Sequence, residues 1–370
     1  SRRRPNHLPP PPTAPMPAPT PIPAAPLPMA AGLYNDHSDL QRGMNEAGRE
    51  ALTAAAAAVA TLGAAAAFAD FGCSEGRNSV SSLAAAADAA LAAGASSVAV
   101  THVDLPSNNW AAFDAAVAGA GGVYARPPTV TVRSLPKGAG FYEACFPAGS
   151  LDLAFGAVTF HWASGAGLPA RLADSAIVAA RGSERERAAA SAAATADWLS
   201  ILRLRAGELR PRGRLVACNV VDDGCMDGAW ACLVDAWGAA VESGDVSRAD
   251  ADAAVMRVHL RTEAMWMEPL REGGAACPLF RVVRARVVRT PPAALTALRA
   301  GTGTAAAYGT WLAGFWEAVS RPVFEAAARA SAGERTAAVV DALFARVAAL
   351  AADRAPDFDM GTLVLDLERL

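Results

Sequence analysis

Between Phe68 and Val80 the chain reads FADFGCSEGRNSV, and its residues suggest several different chemistries. Asp70-Phe71-Gly72 spells the metal-binding triplet of protein kinases, Cys73 is a candidate nucleophile, and Gly72 and Gly76 are placed to shape a loop around a ligand. The kinase reading fails on context. That triplet needs a glycine-rich loop and a catalytic HRD upstream, and neither precedes residue 70. A reactive thiol needs a cationic or histidine partner, and none is evident beside Cys73. The loop is neither GxGxxG nor a phosphate loop ending in GK[ST]. What remains is an acid at a strand end, two glycines that permit a sharp turn and close approach, and a helix starting near Arg77. The N–H groups of that helix face the same crevice. In open α/β sheets, ligands bind at the carboxyl ends of strands. The plainer alternative is that Asp70 only solubilises a strand end.

The surrounding pattern supplies such a sheet. Helix-like pieces at Ser38 to about Thr61, 77–93, 107–120 and 184–209 alternate with strand-like pieces at 64–70, 97–104, 129–135, 150–158 and 213–221. This alternation predicts a parallel sheet covered on both faces by helices. After Asp222 the chain becomes mainly helical, interrupted by the strand-like LFRVVRARVVRT (279–290). It ends on TLVLDLERL (362–370), which alternates like an edge strand. The expected organisation is a proline-rich leader (1–30), an α/β core (31–221), a helical cap (222–345) that returns one strand (279–290), and a C-terminal edge strand (346–370).

Composition narrows the function. The net charge of −3 lacks the basic excess of a nucleic-acid binder, so no nucleic-acid partner is expected. The run ALTAAAAAVATLGAAAAFA (51–69) approaches membrane length. Alanine is weakly apolar and Gly63 divides the run, so a helix followed by a buried strand is expected instead of a membrane span. The six cysteines form no CxxC pair, which speaks against a zinc cage, and they read as reduced core residues. Twelve of the 25 prolines precede residue 29, so the leader is expected to be extended and disordered. The expected location is the cytoplasm, with organelle transit through the basic leader as the alternative.

ADFGCSEGRNS resembles motif I of the plant SABATH methyltransferases and their bacterial relatives, (I/A)D(L/Y)GCSxGxN(T/S). Six further segments follow the family's order. YNDHSDLQ (34–41) is similar to its N-terminal motif, with His37 where the family has Asn or His. THVDLPSNNWAAF (101–113) is similar to NDLPxNDF, and LPKGAGFYEACFPAGSLDLAF (135–155) to VPGSFYxRLFPxxSL. TFHWAS (159–164) is similar to SLHWLS, and LRLRAGELRPRGRLV (202–216) to RxxELxPGGRMV. ERTAAVVDALFARV (334–347) resembles the C-terminal helix. The resemblance runs from about residue 33 to the end. It implies a class I, Rossmann-like methyltransferase sheet of about seven mostly parallel strands with a helical cap. The implied cofactor is S-adenosyl-L-methionine, and the implied reaction is methyl transfer to the carboxylate of a small acid, with a homodimer as the implied assembly.

The resemblance also assigns residues. Asp70, with the Gly72 and Cys73 backbone, would lie beside the methionyl ammonium, while Ser38 and Asn78 would hold the carboxylate end. Asp104 would accept from the ribose hydroxyls, and Leu105 and Phe141 would sandwich adenine. Gly140 stands where the family usually has Ser. Gln41, His161 and Trp162 would form the acceptor site, with Gln and Trp N–H groups gripping the substrate carboxylate. Read alone, Trp162 is a core aromatic and His161 a satisfied core histidine. Val158 and Phe160 depart from the usual Tyr and Leu, making the pocket drier. The cap aromatics in MWM (265–267) and YGTWLAGFW (308–316) either line that pocket or form the cap's own core. A carboxylic acid ionises near pH 4, so its attack on the methyl needs no general base, and no catalytic metal is implied. Methylation of a ring nitrogen or hydroxyl, and a cofactor-binding relative without activity, are the alternatives.

Overall fold

The computed structural model describes residues 38–119, Tyr124 and residues 129–370. The proline-rich leader and the Tyr34 and His37 end of the first motif lie outside these.

The alanine-rich run divides at Gly63. The helix α1 (Asp39–Val59) ends in a short turn of 3-10 helix, and β1 (Ala65–Phe71) follows. No helix among the described residues is long and apolar enough to cross a membrane. Next come α2 (Ser79–Ala92), β2 (Ser97–Asp104), α3 (Trp110–Gly119), β3 (Val130–Pro136), β4 (Leu151–Ala157), α4 (Glu184–Glu208) and β5 (Leu209–Val221). The cap helices are α5 (Asp227–Glu242), α6 (Arg248–Ala251), α7 (Glu263–Met267), α8 (Ala293–Arg299), α9 (Ala305–Ala332) and α10 (Thr336–Arg354). Two more strands, β6 (Phe280–Arg289) and β7 (Gly361–Arg369), complete a seven-stranded sheet of order β3-β2-β1-β4-β5-β7-β6. The five core strands pair in parallel. Side chains of α1 and α2 pack on one face with Phe68, Val98 and Val100, and α4 covers the other with Trp198, Ile201 and Leu202. This is the expected Rossmann-like α/β sheet.

Two expectations are corrected. The alternation in TLVLDLERL points to an edge, yet β7 lies between β5 and β6, antiparallel to both. Leu363, Val364, Leu365 and Leu367 are fully buried on alternate faces, the near-continuous burial of an interior strand. The edge belongs to β6, where Arg281, Arg284, Arg286 and Arg289 keep the outer rim charged and unattractive to further strands. The expected boundary after residue 345 also falls inside α10, whose Val339, Leu343, Val347 and Ala351 all belong to the cap's core.

Candidate functional site

Gly72 and Gly76 open the crest of the sheet. Both have left-handed backbones (φ +77° and +83°), and a Cβ would meet Thr159 Cγ2 at 2.4 Å from Gly72 or Phe113 Cδ2 at 2.8 Å from Gly76. Glycine is therefore required twice in this loop, by conformation and by space. The Gly72 amide donates to the Val103 carbonyl (2.8 Å), which ties the loop to the end of β2.

A polar pocket sits on that loop. Asp70, Gly72, Cys73, Gly76 and Asn78 line it together with Asn45 from α1 and Ala157 from β4. Asp70 is buried at 1% exposure. Asn78 Nδ2 donates to the Ser38 carbonyl at 3.4 Å, so Ser38 joins the site through its backbone. Asn45, absent from the sequence-derived set, donates from Nδ2 to the Gln41 carbonyl (2.9 Å), while its buried Oδ1 has no partner among the described residues. Its spacing of four from Gln41 on one helix face was the available signal. Burial and the nearby Asp104 and Asp70 push the Cys73 thiol well above its ordinary range, so it does not supply a thiolate.

The remaining cofactor candidates gather where β2 and β3 end. Asp104 accepts from the Ser74 amide (2.6 Å) and the Leu105 amide (2.7 Å). Burial raises its pKa to about 6 against those two bonds, with Asp70 adding to the rise. Gly140 has φ +57°, and a Cβ there would stand 3.4 Å from Leu105 Cδ2, so Leu105 and the Gly140-Phe141 turn face each other. The RAGE stretch of α4 holds this turn. Buried Arg205 pairs with Glu208 (2.8 Å) and donates to the carbonyls of Phe141 (3.2 Å) and Glu143 (3.0 Å). Glu208 accepts from the Cys145 amide (2.6 Å).

A second, apolar pocket lies under the cap. Gln41, His161 and Trp162 come together there with Val158, and Leu40 and Met44 of α1 flank them. Met226, Trp230, Met256, Phe315, Trp316 and Val319 close it from the cap side. Of the aromatic segments singled out in the sequence, YGTWLAGFW contributes Phe315 and Trp316. MWM contributes nothing, because Trp266 is buried against Trp198 and Arg261 in the core beneath α4. Val158 adopts φ +56°, a costly conformation for a β-branched residue, at the point where the chain leaves β4 for the pocket.

The loop carrying Trp162 is clamped from behind by residues the sequence did not single out. Tyr142 donates to the Trp162 carbonyl (2.7 Å). Asp197 accepts from the Ser164 amide (2.8 Å), the Ser164 hydroxyl (2.7 Å) and His259 Nε2 (2.7 Å). Burial opposes ionisation of Asp197, but the bonds from His259 and Ser164 outweigh it and hold the carboxyl below its usual range. His161 is driven the other way. Burial, with Arg261 and His259 nearby, lowers its pKa to about 3, so its imidazole stays neutral.

The two pockets adjoin. Gln41 and Asn45 are one helical turn apart, and Ala157 and Val158 are consecutive, with one member of each pair in each pocket.

The sequence pattern described as SAM dependent carboxyl methyltransferase matches residues 30–369. No curated protein sequence matches significantly. A solved structure of loganic acid methyltransferase with SAH superimposes with a TM-score of 0.70 at 16% identity, covering 92% of this chain and 98% of that one. More distant are a geranyl diphosphate methyltransferase with SAM (TM-score 0.35, 12% identity, 91% and 89% coverage) and an MccD protein (TM-score 0.38, 10% identity, 82% and 90% coverage). With a family pattern matched over nearly its whole length, the chain belongs to the SAM-dependent carboxyl methyltransferases, which methylate small acids.

Proposed function

We propose that this enzyme esterifies a small, largely apolar carboxylic acid, with the methionyl end of S-adenosyl-L-methionine in the Asp70 pocket and the acid in the pocket under the cap. The observation that carries this reading is the shared wall between a polar and an apolar pocket, at Gln41/Asn45 and Ala157/Val158. The polar pocket fits a zwitterionic amino-acid end. A buried carboxylate suits an ammonium, and the Asn78 amide and the loop N–H groups suit a carboxylate. Asn45 Oδ1, buried and with no partner among the described residues, offers one further acceptor to the ammonium. Asp104, with Leu105 and Phe141 beyond it, is positioned for the ribose and adenine.

When bound, the cofactor supplies an electrophilic methyl on a sulfonium. The chain's own work is to place an acceptor oxygen in line with it and keep water out. Gln41 and the Trp162 indole are the N–H donors for the substrate carboxylate, and the Met and Trp side chains of the cap fill the space around its apolar body. The acid arrives ionised and needs no base. This agrees with a pocket whose histidine, at about 3, is a poor one. A phenol, ionising near pH 10, would need a base that this pocket does not provide, which favours a carboxylate over a hydroxyl acceptor.

Incubation with methyl-labelled cofactor and a panel of aromatic, fatty and terpenoid acids tests the reading. The expected product releases its label in mild alkali, with apolar acids preferred over their dicarboxylic counterparts. Label retained in an alkali-stable product overturns the ester assignment.

A further inference from the structure

Directly behind Asp70, on the neighbouring strand, lies His102. The two are register partners in β1 and β2 and share a sheet face. Along β2 that face is set by Val98, Val100 and His102, so a histidine occupies a position where the pattern calls for an apolar residue. It is fully buried, with Phe113 packed on its ring (centroids 4.9 Å apart). His102 Nδ1 lies 2.7 Å from Asp70 Oδ2, and the Tyr124 hydroxyl lies 3.3 Å from Nε2. A carboxylate is acceptor-only, so Nδ1–H is the donor in the first contact.

We propose that His102, backed by Tyr124, is a positioning residue for cofactor binding. It holds Oδ2 of Asp70 against β2 and so leaves Oδ1 presented to the polar pocket that Asp70 lines. An isolated aspartate turns freely about its last torsion. One pinned by a 2.7 Å bond, inside a packed aromatic cage, keeps one oxygen fixed on the ammonium it is to receive. The side chain thus acts through Asp70 and touches no ligand itself. The inference rests on the reading of Asp70 as the ammonium's partner.

Calorimetric binding of S-adenosylhomocysteine, and of its desamino analogue in which hydrogen replaces the α-ammonium, separates the two claims. His102→Leu is expected to weaken S-adenosylhomocysteine binding about tenfold, the scale of one hydrogen bond to a charged group, and to change binding of the desamino analogue less than twofold. His102→Asn, which returns an N–H near the Nδ1 position, is expected to recover most of the loss. Tyr124→Phe, the milder change, is expected to cost about threefold through the weakened second link, again only with the amino group present. Equal weakening of both ligands by His102→Leu, or by Tyr124→Phe should the first variant not fold, would mean a merely structural histidine and overturns the proposal. So does an unchanged affinity for both. Asp70→Asn on the same two ligands serves as the control. If it fails to discriminate them, the reading of Asp70 itself is wrong. If it discriminates and His102→Leu does not, only the role of His102 falls.

Discussion

The polar pocket on the β1 loop and the apolar pocket under the cap share two walls but are built in opposite ways. Most of the polar pocket comes from one uninterrupted stretch, Asp70 to Ser79, with Asn45 and Ala157 added from the sides. Its glycine conformations, strand-end acid and following helix are local facts of the chain. The apolar pocket draws its residues a few at a time from α1, the loop after β4, β5, the start of α5, the 256–260 segment and α9. Nothing local announces its members. On the proposed reading, a fixed ligand end would be matched by a contiguous motif, and a variable ligand body by side chains from elements that can be exchanged one at a time.

The comparison breaks most sharply at Asp70. Asp70→Ala removes the carboxylate proposed as the ammonium's partner and is expected to weaken cofactor binding by up to about a hundredfold, as for loss of a shielded charged hydrogen bond, with the acid's KM little changed. Equilibrium titration with S-adenosylhomocysteine measures it. Trp162→Phe keeps the ring and removes the N–H. It is expected to raise the acid's KM about tenfold, with the cofactor's Kd held within twofold. Asp104 sharpens the comparison through pH. With its carboxyl raised to about 6, it carries a proton below that pH and becomes a weaker, uncharged acceptor for the ribose hydroxyls it is proposed to bind. Cofactor affinity is therefore expected to be full above about pH 6 and to fall by up to tenfold per unit below it, with the slope abolished in Asp104→Asn. The smallest effect is expected at Cys73. Cys73→Ser keeps size and backbone, so turnover is expected to drop less than threefold. Abolished turnover with intact cofactor binding would reopen the nucleophile reading.

This contrast also explains what the sequence could and could not disclose. The α/β alternation, the β1 loop and the strand-end acids Asp70 and Asp104 were readable because period and turn chemistry are local. The place of β7 was not. Strand order depends on which edge remains after the cap has folded back, and a run such as TLVLDLE is compatible with alternation or with full burial. The cap's contribution to the pocket was half readable. The segment 308–316 was flagged, but only its helical phase in the folded protein sends Phe315 and Trp316 to the pocket, while Tyr308 donates to the Pro356 carbonyl (2.6 Å). Residues acting from behind were silent. Asp197, His259 and Tyr142 are 55 to 117 residues apart from one another and converge only when α4 packs beneath the Trp162 loop. His102 did leave a trace, a polar residue on the apolar phase of β2.

The most direct test of the two-pocket account is a crossed measurement on Asp70→Asn and Gln41→Leu, recording for each the Kd of S-adenosylhomocysteine and the KM of a turned-over acid. The account predicts that Asp70→Asn raises the Kd at least tenfold and leaves the acid's KM within about twofold, while Gln41→Leu does the reverse. If Gln41→Leu instead leaves the acid's KM untouched, or if both variants move both constants together, the division of labour between the two pockets is contradicted.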